Sequence, residues 1–494
     1  MFFLLVLGLA LGAASAQTPA ASLPAARSLF KQGKFQEAAV AYKAIVEKDK
    51  TSSSAYAGLV QSYLKADEVE LADQSSAEAL AALPQSALAH ALRGDVYFRK
   101  GLFSEAESEY RSASKLDSRC ARAWLGIGMI YTIVSKTGPA KDAFAKAREL
   151  DAEDGDILYE WAIRLPYPEN VRNLEAYVAE FHFAPEEERR KREYLDFVRA
   201  IAGHDIWIQS KDIPHSELKL EPIIPGPGKT LGWSVAINLN GTPAKLWLDT
   251  GASWLTISRK LANKIGARKL SEQAQEGTGE GKATKSYLAW VDKVTIGDIE
   301  FHDCIVHVSE QRFLEGTDGL TGTSFFSRNL VTFDFPRQRL IVAPLPAPTD
   351  GASGPEVHSF PPGSNSPTQM FSFGHLPVVN TRIDHKAMGL FVLDTGSNSS
   401  ILSQRMAAEI GKAHGLKKEL AGMSGVGSST LAERVVLQFS PTEQPAQDLF
   451  TSSLSSISAN LGTEISGMIG ITTLNRMKIT INYRDGWIEF NESK

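Results

Sequence analysis

Four residues recur in this chain in one setting: Leu248-Asp249-Thr250-Gly251 and Leu393-Asp394-Thr395-Gly396. Ahead of each, from Ser234 in the first copy and Leu376 in the second, alternating apolar residues form a strand, a turn and a second strand. Behind each comes a short β-like stretch, Leu255 to Ser258 and Ser400 to Ser403. Further on, Asp318-Gly319-Leu320-Thr321-Gly322 matches Ser466-Gly467-Met468-Ile469-Gly470 at nearly the same distance from its aspartate. One Asp-Thr-Gly arises easily by chance, whereas two in matched surroundings describe a duplicated unit. Such a chain folds into two like β lobes, 217–343 and 369–494, joined by the Pro-, Gly- and Ser-rich linker 344–368.

The first third obeys a helical period. Ala38, Ala72, Ala106 and Ala140 stand 34 residues apart, and Tyr63, Tyr97 and Tyr131 keep the same step. Tyr42, Tyr110 and Phe144 keep it too, with Ser76 as the exception. Small residues let paired helices approach, and aromatics fill the holes between neighbouring pairs. This pattern resembles the tetratricopeptide repeat, which implies a stacked helical solenoid over 25–165 and a groove that accepts a protein partner. Four repeats fit, followed by the first helix of a fifth at about 154–164. Pro166 and Pro168 are expected to stop the repeat, leaving 166–216 as a helical connector. Its charged helix, starting at Pro185, presents a solvated face with i,i+4 pairs.

The duplicated halves resemble the pepsin and retropepsin superfamily of aspartic peptidases, and the resemblance covers nearly all of 218–494. Lobes of this size are nearest the compact retropepsin type with both lobes in one chain. The resemblance implies two small β-barrels whose aspartates, Asp249 and Asp394, become neighbours as the catalytic pair. It also implies that Thr250 and Thr395 hydrogen-bond across the lobe interface. Gly251 and Gly396 let backbone amides approach the carboxylates. The residues that follow differ, Ala252 against Ser397. In this family a hydroxyl at that place donates to the aspartate, so an unequal pair is expected. The expected architecture is multidomain, an all-α repeat solenoid followed by an all-β bilobal double barrel.

The chemistry explains the residue types. A water held between two carboxyls is deprotonated by one while the other donates to the substrate carbonyl. That needs one ionised and one protonated carboxyl at the same pH, and two adjacent aspartates achieve it because like charges cannot both ionise. A carboxyl pair sharing one proton is the known signature of this enzyme class. A flap over the substrate is expected at Gly277-Thr278-Gly279 in the first half and Gly425-Val426-Gly427 in the second, where glycines allow a mobile hairpin. An ordinary flexible hairpin has the same composition. Tyr287 lies just beyond the first run, and no unambiguous flap tyrosine is present. A peptide-binding scaffold that keeps the fold without turnover is the alternative reading. It draws on the solenoid and on Thr321, a polar residue in the apolar segment before the closing glycine.

Composition narrows the remaining classes. With 52 basic and 57 acidic side chains the net charge is −5, too small to imply a nucleic-acid or anionic-membrane partner. Residues 1–16 are read as an export signal: an apolar run from Phe2 to Leu11, then Ala14-Ser15-Ala16 before cleavage at Gln17. No Lys or Arg precedes that run. The run is also too short to span a bilayer. A periplasmic or extracellular location follows, with no integral membrane segment after cleavage. The two cysteines, Cys120 and Cys304, are expected as buried free thiols. Strand alternation places His302 and Cys304 on one face and His307 on the other. No metal or cofactor is implied.

Overall fold

The computed structural model describes residues 22–492, apart from 211–214, 225–229, 272–273, 277–283, 311–312, 314–315, 348–366, 414–416, 423–424 and 442. Eleven helices come first among the described residues. They are α1 (Leu23–Lys31), α2 (Phe35–Lys48), α3 (Ser53–Lys65), α4 (Val69–Ala82), α5 (Ala87–Arg99) and α6 (Phe103–Leu116). Then follow α7 (Ala121–Ile133), α8 (Thr137–Leu150), α9 (Gly155–Ala162), α10 (Glu169–Glu180) and α11 (Pro185–Ile201).

The helical period has two local causes. Residues 52, 86, 120 and 154 precede successive first helices, and Ser52, Ser86 and Asp154 cap them by accepting backbone amides. Cys120 holds the third of these places without a side-chain cap bond. Between neighbouring helices a glycine receives an aromatic ring: a Cβ on Gly58 of α3 would lie 2.2 Å from the Tyr42 ring of α2, and one on Gly128 of α7 2.7 Å from Phe144 of α8. Pro168 does not end the array. It falls at the N-cap of α10, where its missing N–H costs nothing, so the fifth unit has both helices rather than one. The rings of Tyr159 and Tyr177 join α9 to α10 at 5.3 Å.

The inner face of the solenoid is occupied by the chain's own segments. Arg122 of α7 bonds Asp95 of α5 at 2.7 Å and Asp154 and Asp156 at 3.1 Å. Lys65 of α3 reaches Asp156 at 2.9 Å and Glu187 of α11 at 3.6 Å. After α10 the chain crosses back to the first repeat, where the His182 amide donates to the Lys31 carbonyl at 3.1 Å. Lys191 of α11 lies 3.6 Å over the Tyr159 ring, and burial pulls its ammonium down to about 8. The charged helix thus turns part of its face inward; Arg189–Glu193, Lys191–Glu187 and Arg192–Glu188 are its i,i+4 pairs.

The β region repeats one plan. In the first lobe, strand Thr242–Leu248 runs into Asp249 and pairs in parallel with Gly319–Thr321; in the second, Ala387–Leu393 runs into Asp394 and pairs in parallel with Gly467–Ile469. Six antiparallel strands then cross between the lobes, in the order Ser216–Lys219, Arg339–Pro344, Asn329–Asp334, Met477–Asn482, Trp487–Glu492 and Thr368–Phe373. At the seam Thr332 faces Thr480 with their hydroxyls 2.9 Å apart, which marks the local two-fold relation between the halves. Both cysteines are buried free thiols. One expectation fails in strand Ile299–Ser309. Asp303 has φ 51°, so the alternation reverses there: Phe301 is buried, His302 is partly exposed on Glu300, and Cys304 is buried. His302 and Cys304 therefore do not share a face.

The solenoid docks on the second lobe through a continuous apolar core. Phe103 of α6 meets Phe371 at 4.8 Å and Phe373 at 6.0 Å, and Ile127, Ile130 and Ile133 of α7 join the same cluster as Leu390, Val392 and Ile465. The Thr463 hydroxyl donates to the Phe98 carbonyl at 2.8 Å, and the Glu464 amide to the Arg99 carbonyl at 2.8 Å.

Candidate active site

Each aspartate is the first residue after its strand, and its amide donates to the segment crossing beneath: Asp249 to the Thr321 carbonyl at 2.9 Å, Asp394 to the Ile469 carbonyl at 3.0 Å. Thr321 is satisfied in this polar exception, because its hydroxyl donates to the Gly322 carbonyl at 3.0 Å. The turn then bends back so that the glycine amide meets the carboxylate, Gly251 to Asp249 Oδ1 at 2.8 Å and Gly396 to Asp394 Oδ1 at 2.9 Å. Only glycine fits there. A Cβ on Gly396 would stand 2.4 Å from the Asp249 carboxyl carbon, and one on Gly251 would stand 3.1 Å from an oxygen of each aspartate.

The threonines close the arrangement with four bonds across the lobes. The Thr250 hydroxyl donates to the Leu393 carbonyl at 2.7 Å and accepts the Thr395 amide at 3.0 Å; the Thr395 hydroxyl donates to the Leu248 carbonyl and accepts the Thr250 amide, both at 3.0 Å. Both threonines are buried, so every polar group they carry into the interface has a partner.

The carboxyls of Asp249 and Asp394 are hydrogen-bonded to one another. Burial raises both above the usual carboxylate range. Asp249 is raised further by the charge of Asp394 and is only partly offset by the Gly251 and Ala252 amides. Asp394 is held lower by its bond from Asp249 and by the Gly396 and Ser397 amides. Both members are raised, and the hydroxyl expected to distinguish them does not reach the dyad. The Ser397 hydroxyl donates to the Ser399 carbonyl at 2.9 Å, while its amide serves Asp394 Oδ1 at 3.1 Å.

Residues to which the sequence assigned no site role crowd the first loop. Trp254 sits under Phe197 of α11, ring centroids 5.3 Å apart, and 6.3 Å from His307. His307 Nδ1 is buried without a partner, and burial pulls the imidazole down to about 4. His375, in the turn before strand Leu376–Ile383 of the second lobe, places Nε2 2.9 Å from the Gly251 carbonyl. The first flap candidate, Gly277-Thr278-Gly279, lies outside the described residues. The second begins strand Gly425–Val435, where Gly425, Val426 and Gly427 pair with Gly422, Ala421 and Leu420 in an antiparallel hairpin. Tyr287 packs against the first lobe's core, 5.2 Å beneath Lys269 Nζ.

Residues 235–328 match the family model for gag-polyprotein putative aspartyl protease, and residues 29–95 match tetratricopeptide repeat. The first match holds Asp249 and Gly322 of the first lobe. Over 127 residues the chain is 32% identical to DNA damage-inducible protein 1 of Yarrowia lipolytica, across 26% of this chain and 30% of that protein. Over 191 residues it is 30% identical to the CTR9 homolog of Arabidopsis thaliana, across 38% of this chain and 16% of that protein. The chain thus spans less than a third of either relative. It carries a gag-like aspartyl protease domain behind tetratricopeptide repeats.

Proposed function

We propose that this chain is an aspartic endopeptidase in which Asp249 and Asp394 of one molecule activate the hydrolytic water. The observation that carries this reading is the contact between two carboxyls, each held by its own glycine amide and locked to the other by Thr250 and Thr395. In the resting pair one proton is shared, and it belongs to the pair rather than to either aspartate. The ionised partner removes a proton from the water while the protonated one donates to the scissile carbonyl, so no covalent intermediate forms. The substrate is an extended polypeptide that adds as a strand beneath the hairpins. The chain works outside the cytoplasm after removal of residues 1–16. A protein partner of the repeats meets the outer helices, or else displaces α11 from the inner face.

The test is cleavage of a denatured protein by residues 17–494 between about pH 3 and 7.5, the range over which a carboxyl pair titrates. Asp249→Asn and Asp394→Asn should each lower the rate by at least about 10²–10⁴-fold, the usual range for a lost acid–base group. A hydroxyl-bearing peptide mimic of the tetrahedral intermediate should inhibit the wild type. Peptide binding with no cleavage at any pH would favour the scaffold reading instead.

A further inference from the structure

The two aspartate loops are alike in backbone and unlike in what holds them from the opposite lobe. A carbonyl oxygen only accepts, so at 2.9 Å from the Gly251 oxygen His375 Nε2 carries the proton and donates. That carbonyl belongs to the peptide unit whose N–H is the Ala252 amide, which donates to the Asp249 main-chain carbonyl at 3.1 Å and so closes the turn that holds the Gly251 amide on Asp249 Oδ1 at 2.8 Å. In a trans peptide the C=O and N–H point opposite ways. Anchoring the oxygen on the second lobe therefore holds the amide on the Asp249 carbonyl and keeps the turn closed beneath the carboxylate, and a hydrogen bond at one end of an amide strengthens the bond at the other. The matching place in the first lobe, just before strand Gly232–Leu239, is Leu231, whose hydrocarbon side chain donates nothing.

We propose that His375 is a positioning residue for the dyad: it fixes the Gly251–Ala252 peptide and so sets how far Asp249 is stabilised as an anion. The inference deepens the peptidase reading and rests on it for its kinetic part alone. The brace persists in acid. Both the neutral Nε2–H tautomer and the imidazolium donate from Nε2, so protonation changes the local charge without breaking the bond. Among titratable neighbours, His307 of strand Ile299–Ser309 acts on His375, and Glu193 of α11 acts on His307. Burial and His307 together keep His375 neutral to lower pH than a free imidazole.

The experiment compares wild type, His375→Ala and His375→Gln, the last of which restores an N–H donor and cannot titrate. Carboxyl titration of the dyad in ¹³C-aspartate-labelled protein reads the brace without any need for turnover. The Ala variant should move the Asp249 titration upward by about one pH unit, and the Gln variant should return it close to wild type. In peptide cleavage the Ala variant should lose kcat by roughly 10-fold with KM nearly unchanged, and Gln should recover most of it. An unmoved titration in the Ala variant, or a Gln variant no better than Ala, would overturn the proposal. If wild type cleaves nothing, the peptidase reading fails, and the carboxyl titration still decides the role of His375.

Discussion

The two lobes share a fold and differ in what stands behind them. The second is backed by the solenoid, whose Phe103, Phe98 and three α7 isoleucines run into its core as one apolar cluster. The first is backed at its aspartate loop by Phe197 of α11, the one ring of that helix on Trp254, and by His375 from across the seam. Broad apolar burial resists unfolding of a whole face, whereas single contacts tune a loop. The duplication thus separates two tasks, with anchoring given to one half and adjustment to the other.

Substitutions can break this contrast. The largest effect is expected at the anchor: Phe103→Ala should destabilise by about 3–5 kcal/mol, the range for a buried aromatic lost to a cavity. Phe197→Ala should cost less, about 1–2 kcal/mol, since this half-buried ring gives up its pairs with Trp254 and Tyr194. Urea unfolding midpoints of the two variants check the ranking, and equal losses would erase the distinction.

Acid sensitivity should come next and belong to the first lobe. A free imidazole titrates at about 6.5 and His307 at about 4, so between these values the unfolded chain binds more protons than the folded one. Stability therefore falls as pH drops through that window, by up to about 3 kcal/mol, and levels off below it. His307→Leu should remove this part of the pH dependence, read as wild type minus variant at pH 7 and pH 4. Strand Gln447–Ser452, which holds the same place in the second lobe, has no histidine to answer it.

The smallest effect is expected at Ser397→Ala. Its hydroxyl serves Ser399 rather than the dyad, so stability should change by no more than about 1 kcal/mol and the pH profile of cleavage should stay put. A shifted profile would restore the hydroxyl to a direct role on Asp394.

What could be read from residues alone followed from how local each signal is. The Asp-Thr-Gly loops are legible because turn, glycine and preceding strand lie within a few positions and occur twice. The repeats are legible by period, and their cap positions 52, 86, 120 and 154 keep the same step. His375 was not legible, since its partner lies 124 residues away and a single histidine after a glycine carries no pattern. The reversal at Asp303 depends on one backbone angle that composition does not encode. The Ser397 hydroxyl had two acceptors within reach, and only the folded turn selects Ser399. Pro168 misled because a proline that breaks a helix from inside also begins one well.

Helix α11 spans both parts of the molecule, with Glu187 on Lys65 among the repeats and Phe197 on Trp254 beside Asp249. A ligand of the repeats that dislodged this helix would also remove the ring from Trp254. Thermodynamic reciprocity then works in both directions: whatever steadies Trp254 weakens that ligand by the same factor by which the ligand loosens Trp254. Occupancy at the two ends of α11 is a single linked quantity, readable at either end.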